Sequence, residues 1–401
     1  MKAIRMKILL LTAGTRGDVE PFAALARSAG ARGHQVRLGV PDHSGVDTAG
    51  LDAVSLHIDF AQLINDQGVS PLTVATTFRT VIRPGIGRLL STAVEHIISF
   101  APDVVVYHPK VLSAPIAANR LGIPSVIVES VPSVTRTREF PAPYITSVNL
   151  GPLNRATYQA ASLATLMFGR ELDAALKILP AGPKRRPGTR VSMVPVSPQL
   201  LPRPRDWPPT VHLTGHWAGK PVTAAADTEL EDFMNSGNFV YAGFGSMKAG
   251  DARGRGEIII AAARRSGLHV LVTTGWGGLD LSGAATDGVL VRESVTHNQV
   301  LPRATAAIHH GGAGTVHAVA RAGVPSIVVP FIGDQPFWGN LLYRHGLAPA
   351  PIPYRRLDVD RLTDALGHAR NCRDLATDVG ELMQKEDGVA VAVDVVENLA
   401  G

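Results

Sequence analysis

The chain has 401 residues, 39 Lys and Arg against 34 Asp and Glu, and one Cys; at roughly 100–200 residues per domain it has room for two or three domains. Lone Cys372 excludes a disulfide framework or a cysteine zinc site and fits a reducing, cytoplasmic compartment. A net charge of +5 with 5% aromatic residues supplies no stacking platform for nucleic acid, 45% hydrophobic content argues against disorder, and no apolar run approaches the roughly 18–20 residues of a membrane span.

Met6–Thr12 (MKILLLT) is a short, nearly continuous apolar run, as a parallel strand buried on both faces requires. Thr12–Asp18 follows with no cleavage region, so the run predicts a first strand and not a signal peptide. Pro21–Ala31 carries apolar residues at helical spacing, and Gln35–Val40 is a second strand after the turn at Gly33 and His34. This β-loop-α-β unit is the module of a doubly wound α/β domain. It recurs as strand Asp103–Tyr107, helix Ala114–Leu121 and strand Pro124–Glu129.

Leu150–Ile178 predicts one or two helices. Pro180–Pro209 carries Lys184, Arg185, Arg186, Arg190, Arg203 and Arg205, and reads as a basic patch or as a solvated linker. No aromatic is interleaved among these charges, which favours the linker. A second α/β series then begins with strand Phe239–Phe244, helix Glu257–Ser266 and strands His269–Thr274 and Val289–Arg292. The segment from Ala306 to His309, helix Gly314–Ala322 and strand Ser326–Pro330 come next, followed by helices over Leu357–Arg370, Ala376–Gln384 and Val389–Leu399. The expected fold class is α/β, with two Rossmann-like domains over residues 1–208 and 209–401. They face each other across a cleft at the C-terminal edges of both sheets, where such sheets bind ligands. The last helix is free to pack back on the first domain.

The densest cluster of informative residues is His309-His310-Gly311-Gly312-Ala313-Gly314-Thr315, which opens a helix. Glycines let a ligand approach the backbone, and the N–H groups and dipole of a new helix favour an anion. The spacing is neither a Walker A loop nor a dinucleotide fingerprint. His310 and Thr315 are placed to reach a diphosphate; the competing reading is a tight turn with a structural histidine. About twenty residues on, Asp334 and Gln335 stand together after the strand, as the vicinal hydroxyls of a sugar require. Asp334 also suits a helix N-cap with Pro336 in the first turn.

These stretches resemble the GT-B-fold glycosyltransferases that use nucleoside-diphosphate sugars. The resemblance extends to Gly14-Thr15-Arg16-Gly17-Asp18-Val19-Glu20-Pro21, Tyr107-His108-Pro109-Lys110, Thr137-Arg138-Glu139-Phe140-Pro141 and Leu213-Thr214-Gly215-His216-Trp217. Those pieces are most similar to the sterol-glucosyltransferase-like bacterial branch. The resemblance implies that His310 with Gly311, Gly312, Gly314 and Thr315 holds the diphosphate, that Ser246 meets the phosphates, and that Asp334 and Gln335 hold the sugar. It also implies that Ser294–Asn298, with Val295 and His297, holds the nucleobase. No Trp occurs in this stretch where the plant pattern has one, which leaves uridine and thymidine both open.

The first domain is expected to receive the acceptor, with Asp18 after the first strand as base. Burial beside an apolar acceptor would raise its pKa, and the resemblance supports this role; capping of the following helix is the alternative. His108, after strand DVVVY, is the rival base or an orienting residue. His34 reads as a turn residue.

The expected reaction is a single displacement that inverts the anomeric carbon and moves a hexosyl unit from UDP-glucose or a dTDP-sugar to a hydroxyl of a lipophilic polyketide, macrolactone, sterol or phenol. Phe78, Phe140 and Trp338 are expected to meet the acceptor, within segments Ile64–Ile98 and Phe140–Leu166 and beside Asp334. No cofactor beyond the sugar nucleotide and no metal is expected, since Asp358 and Asp360 read as helix-start residues. Peripheral membrane contact remains open. A sugar-nucleotide epimerase and a non-catalytic helper protein are the alternatives.

Overall fold

A computed structural model describes residues 5–60, 78–159, 165–180, 188–219, 227–245, 250–275, 277–279 and 287–399. Among these residues, seven strands form the first sheet: β1 (Lys7–Leu11), β2 (Gln35–Val40), β3 (Asp52–Ser55), β4 (Val104–Tyr107), β5 (Ser125–Val128), β6 (Arg190–Val194) and β7 (Val211–Leu213). Five form the second: β8 (Phe239–Gly243), β9 (His269–Thr273), β10 (Val289–Arg292), β11 (Ala306–His309) and β12 (Ser326–Val328). The orders are β3-β2-β1-β4-β5-β6-β7 and β10-β9-β8-β11-β12, every pair parallel.

Strands such as Lys7–Leu11 and Val104–Tyr107 are apolar throughout because helices cover both faces of a parallel sheet. In the first lobe these are α1 (Arg16–Ala31), α2 (Arg83–Phe100), α3 (Ser113–Leu121) and α4 (Gly169–Leu176). The second carries α5 (Thr228–Asn235), α6 (Ala252–Arg265), α7 (Ala313–Arg321), α8 (Gln335–Arg344), α9 (Val359–Asn371) and α10 (Arg373–Gln384).

The final helix, α11 (Gly388–Glu397), crosses back to the first lobe. Its Val389, Ala392, Val393 and Val396 pack with Met6, Ile8, Leu10 and Phe22, and each buried valine stabilises this return by about 1.5–3 kcal/mol. Arg32 pairs with Asp394 and Glu397, and His34 Nε2 lies 2.9 Å from Glu397 Oε1. His34 is therefore more than a turn residue: it ties the C-terminal helix to the strand edge.

Three expectations are corrected. Helix α1 starts at Arg16 and holds Pro21 inside, because the Asp18 side chain accepts the Thr15 N–H at 2.9 Å and fixes an earlier start. The stretch taken for a linker contains β6, whose Val191, Met193 and Val194 are buried beside β5; its flanking prolines and arginines hide a strand. Lys184, Arg185 and Arg186 lie outside the described residues. Strand β7 continues the first sheet to Leu213, past the expected boundary at 208/209.

The lobes share a core. Val131, Phe140, Tyr158 and Val194 of the first pack with Val316, Val328, Phe337 and Trp338 of the second. Beside it, the rings of His216 and His317 stack at 4.5 Å, and the Ser197 N–H donates to His317 Nε2 at 3.4 Å.

Candidate active site

In each sheet the chain order reverses beside the first strand of the lobe, and the loops after the two strands flanking that point open a crevice. β1 pairs with β4 at Leu11 and Tyr107, so the turn entering α1, with Asp18, meets the loop carrying His108 and Lys110. β8 pairs with β11 at Gly243 and His309, so Gly245 meets His310 and the start of α7. Topology thus sets one side-chain cluster on each lobe.

On the second lobe, Gly312 stands at the N-cap of α7 and provides no side-chain cap. The first N–H groups of this nine-residue helix therefore keep their capacity for an anion. A methyl group on Gly312 would lie 2.4 Å from His310 Nε2, and Gly311 sits at φ +90°, with a Cβ there 2.8 Å from Val328 Cγ1. Gly311 requires glycine, and a side chain at Gly312 would displace the His310 ring.

His310 Nδ1 is buried with no hydrogen-bond partner among the described residues, and burial pushes the ring down to about 4. The side chain is a neutral imidazole at pH 7. His309 is fully buried, its Nδ1 accepting the Gly311 N–H at 3.1 Å, and burial holds it at about 3. His309 thus braces the turn from beneath, while His310 and the half-buried Thr315 line it. Gly314 is exposed with open space around its Cα.

Asp334 precedes α8, with Pro336 in its first turn. Its side chain makes no cap bond and instead accepts the Trp338 Nε1–H at 2.8 Å. Burial raises its pKa against that bond, and the negative charge of Asp18 adds to the rise. The two carboxylates therefore feel each other across the cleft. Gln335 is buried, and its Oε1 accepts the N–H groups of Phe331 and Ile332 at 2.8 and 3.2 Å, so it shapes the loop that presents Asp334. Val295 packs against the core beneath β10 and β11. His297 Nε2 lies 3.1 Å from the Tyr241 hydroxyl, which is 3.0 Å from Thr273 Oγ1. Burial lowers the His297 pKa, with Glu20 and Arg16 of α1 acting on it in opposite directions. Ser246 lies outside the described residues.

On the first lobe, Asp18 Oδ2 accepts the Thr15 N–H at 2.9 Å and a hydrogen bond from Lys110 Nζ at 3.1 Å. Its Oδ1 lies 3.3 Å from His108 Nε2. Capping and a cleft position both hold for this carboxylate. Its pKa departs from expectation: burial alone would raise it, but Lys110 and His108 together hold it well below the usual carboxylate range. The Lys110 backbone N–H donates to His108 Nδ1 at 3.2 Å, so the imidazole proton sits on Nε2, toward Asp18. Burial lowers the His108 pKa, opposed by Asp18.

The three expected acceptor contacts separate. Phe78 opens a short helical turn (Phe78–Ile82) and packs on Phe168 at 5.9 Å. Phe140 and Trp338 are buried in the inter-lobe core, Phe140 against Phe337 at 5.3 Å, and neither lines an open surface. Their rings serve the joint between lobes, and Trp338 reaches the site only through Asp334. Residues 64–77 and 160–164 of the expected acceptor segments lie outside the described residues. Tyr144, which sequence reasoning passed over, enters the cleft: a Cβ on Gly333 would lie 3.7 Å from its ring. Its side chain is about half exposed, and the charges of Asp334 and Asp18 both act on its phenol. Asp358 caps α9, its side chain accepting the Arg361 N–H at 2.8 Å, as expected.

Comparison with known proteins agrees with this architecture. A family model described as glycosyltransferase family 28 N-terminal domain matches residues 8–149, and one described as erythromycin biosynthesis protein CIII-like, C-terminal domain, matches residues 258–390. The chain is 32% identical to a sterol 3-beta-glucosyltransferase of Arabidopsis thaliana, covering 97% of this chain and 64% of the relative, so it spans about two-thirds of that protein's length. It is 32% identical to O-mycaminosyltylonolide 6-deoxyallosyltransferase of Streptomyces fradiae, covering 98% of each chain. The glycosyltransferase SnogD from Streptomyces nogalater superposes with a TM-score of 0.65 at 23% identity, covering 99% of this chain and 100% of the other. The chain belongs to the GT-B-fold glycosyltransferases, in the group that contains the sterol 3-beta-glucosyltransferases and the macrolide glycosyltransferases.

Proposed function

We propose that the protein is an inverting glycosyltransferase that moves a hexosyl unit from UDP-glucose or a dTDP-sugar to a hydroxyl of a lipophilic small molecule: a polyketide or macrolactone, a sterol or a phenol. The observation that carries this reading is the opposition of Asp18, on the first lobe, to Asp334 and the uncapped start of α7 on the second. A sugar bound by Asp334 with its diphosphate on the helix has its anomeric carbon facing Asp18.

The acceptor oxygen bonds to the anomeric carbon as the bond from that carbon to the diphosphate oxygen breaks. The acceptor proton passes to Asp18, and the nucleoside diphosphate leaves. Attack from the lobe opposite the leaving group inverts configuration. His108, with its proton on Nε2 toward Asp18 and its other nitrogen occupied, orients the carboxylate and has no lone pair left for the acceptor. Charge growing on the diphosphate is met by the α7 N–H groups and a hydrogen bond from neutral His310. One such preorganised donor contributes roughly 3–4 kcal/mol to transition-state stabilisation. This chemistry needs no metal and no cofactor beyond the sugar nucleotide.

The apolar residues Tyr144, Ile145, Val148, Leu150 and Leu153 of the first lobe and Ile332 of the second stay exposed, which supports a lipophilic acceptor. The relatives' names support a sterol or a tylonolide-like alcohol. No helix among the described residues is long and apolar enough to cross a membrane; free Cys372 fits a cytoplasmic setting.

Incubation with UDP-glucose or dTDP-sugars and a panel of lipophilic alcohols tests the reading. Acceptor-dependent release of the nucleoside diphosphate, with a mass gain of one hexosyl unit of inverted configuration, is expected. An epimerised free sugar nucleotide, or tight binding without turnover, overturns it.

A further inference from the structure

Lys110 neither gives nor takes a proton in the transfer reaction. It sits two residues beyond His108 on the loop after β4, and its side chain is about half-exposed (47%) in the cleft. The ammonium group lies 3.1 Å from Asp18 Oδ2 and 5.7 Å from the centre of the Phe60 ring. It is also packed against Gly14, where a Cβ would approach Nζ to 2.7 Å. The glycine at φ +136° thus makes room for both the ammonium group and the carboxylate.

A carboxylate offers about four acceptor directions, two on each oxygen. Oδ2 of Asp18 spends both, on Thr15 N–H and Lys110 Nζ. Oδ1 spends one on His108 Nε2. Among the described residues, one direction remains, on Oδ1. Without the ammonium group, Oδ2 would have a direction open as well, and the carboxylate could present either oxygen to an incoming hydroxyl or to water.

We infer that Lys110 is a positioning residue of the transfer reaction: it clamps Oδ2 of Asp18 so that the acceptor hydroxyl meets the single remaining lone pair on Oδ1. The inference rests on the assignment of Asp18 as the base. It commits the loop after β4 to two tasks, His108 holding one carboxylate oxygen and Lys110 the other.

The clamp has an electrostatic consequence with a definite sign. Asp18 is faced by Lys110 and His108 from the loop after β4, by Tyr144 of its own lobe and by Asp334 from across the cleft, while Arg16 and Glu20 of its own helix pair with each other. Lys110 is the largest of the influences that lower its pKa, against burial, which raises it. With Lys110 in place, Asp18 is ionised throughout the working range. Removing the ammonium charge takes away the largest lowering influence and leaves that of His108, so the carboxylate titrates at higher pH.

The test is the pH dependence of kcat/KM for the full chain and its Lys110→Met and Lys110→Arg variants, with a sugar nucleotide and an accepted alcohol. Lys110→Met should lower kcat about 100-fold, the scale of a misplaced catalytic group, with the donor KM nearly unchanged. Its acid limb should move to higher pH, toward the ordinary carboxylate range near pH 4. Lys110→Arg, which keeps a cation within reach, should restore most of kcat and return the limb to lower pH. Lys110 is half-exposed, so an unchanged thermal midpoint shows that a fall in kcat is not a folding defect. An unshifted acid limb in Lys110→Met overturns the inference, as does a loss confined to donor KM, which would put the ammonium group on the diphosphate. If the unsubstituted protein transfers no sugar, the functional reading fails first; an active protein whose Lys110→Met variant keeps its profile defeats this inference alone.

Discussion

His108 points Nε2 at Oδ1 of Asp18 across 3.3 Å, while its Nδ1 already accepts the Lys110 backbone N–H at 3.2 Å. The pair has a fixed polarity, proton on the histidine and charge on the aspartate. Asp18→Asn should therefore cut kcat by roughly 100–10,000-fold, the range of general acid–base catalysis, and leave nucleoside-diphosphate affinity almost unchanged. His108→Gln should cost less, because it disturbs orientation and not the proton acceptor. Steady-state kinetics with calorimetric titration of UDP or dTDP check both; a nearly active Asp18→Asn would move the base elsewhere.

Gly312→Ala tests the close approach at the start of α7. A methyl group 2.4 Å from His310 Nε2 cannot be accommodated unless that ring moves. Donor binding and turnover should both fall, and His310→Ala should reduce kcat by about 100–1000-fold, the cost of one preorganised donor. Unaltered kinetics in His310→Ala would remove the ring from the site.

Trp338→Phe separates packing from hydrogen bonding. It keeps most of the buried ring in the inter-lobe core but removes the donor to Asp334 Oδ2. A stability loss of roughly 1–3 kcal/mol is expected from the lost volume and bond. Donor KM should rise as Asp334 loses its orientation. Urea unfolding and donor-saturation curves measure the two effects, and an unchanged donor KM would contradict the orienting role.

The buried histidines predict a pH dependence of stability. Burial pushes His317 down from 6.5 to about 4 against its Nδ1–H bond to the Ala313 carbonyl, and holds His309 at about 3 and His310 at about 4. The unfolded chain binds these protons more readily than the folded one. Their contribution is therefore complete above pH 6.5 and is lost as the pH falls toward 4. At pH 5 each such group costs at most about 2 kcal/mol. His317→Gln should lose about that much less stability between pH 7 and 5 than the unsubstituted protein. Equal losses in urea unfolding would contradict this.

Much of the two-lobed plan is legible in the sequence because fully buried parallel strands leave unbroken apolar runs, as in Ile8–Leu11 and Val104–Tyr107. β6 is hidden because Arg190 and nearby prolines flank only three or four buried residues. The start of α1 is misread because Pro21 reads as a helix opening, whereas the bond from Thr15 N–H to Asp18 opens it earlier. On the site, glycine spacing marks the turn at Gly311 and Gly312 directly. Trp338 and Phe140 read as acceptor contacts because a large ring looks the same in sequence whether it lines a cleft or joins two lobes. The pairing of Lys110 with Asp18 depends on the adjacency of β1 and β4, a contact spanning 92 positions that no local pattern encodes.

The position of a bound nucleoside diphosphate is decisive. A crystal structure with UDP or dTDP bound should place the β-phosphate against the backbone N–H groups of Ala313–Thr315, within hydrogen-bond reach of His310, with the Asp18 carboxylate opposite. A nucleotide bound in the first lobe, or held away from the start of α7, would contradict it.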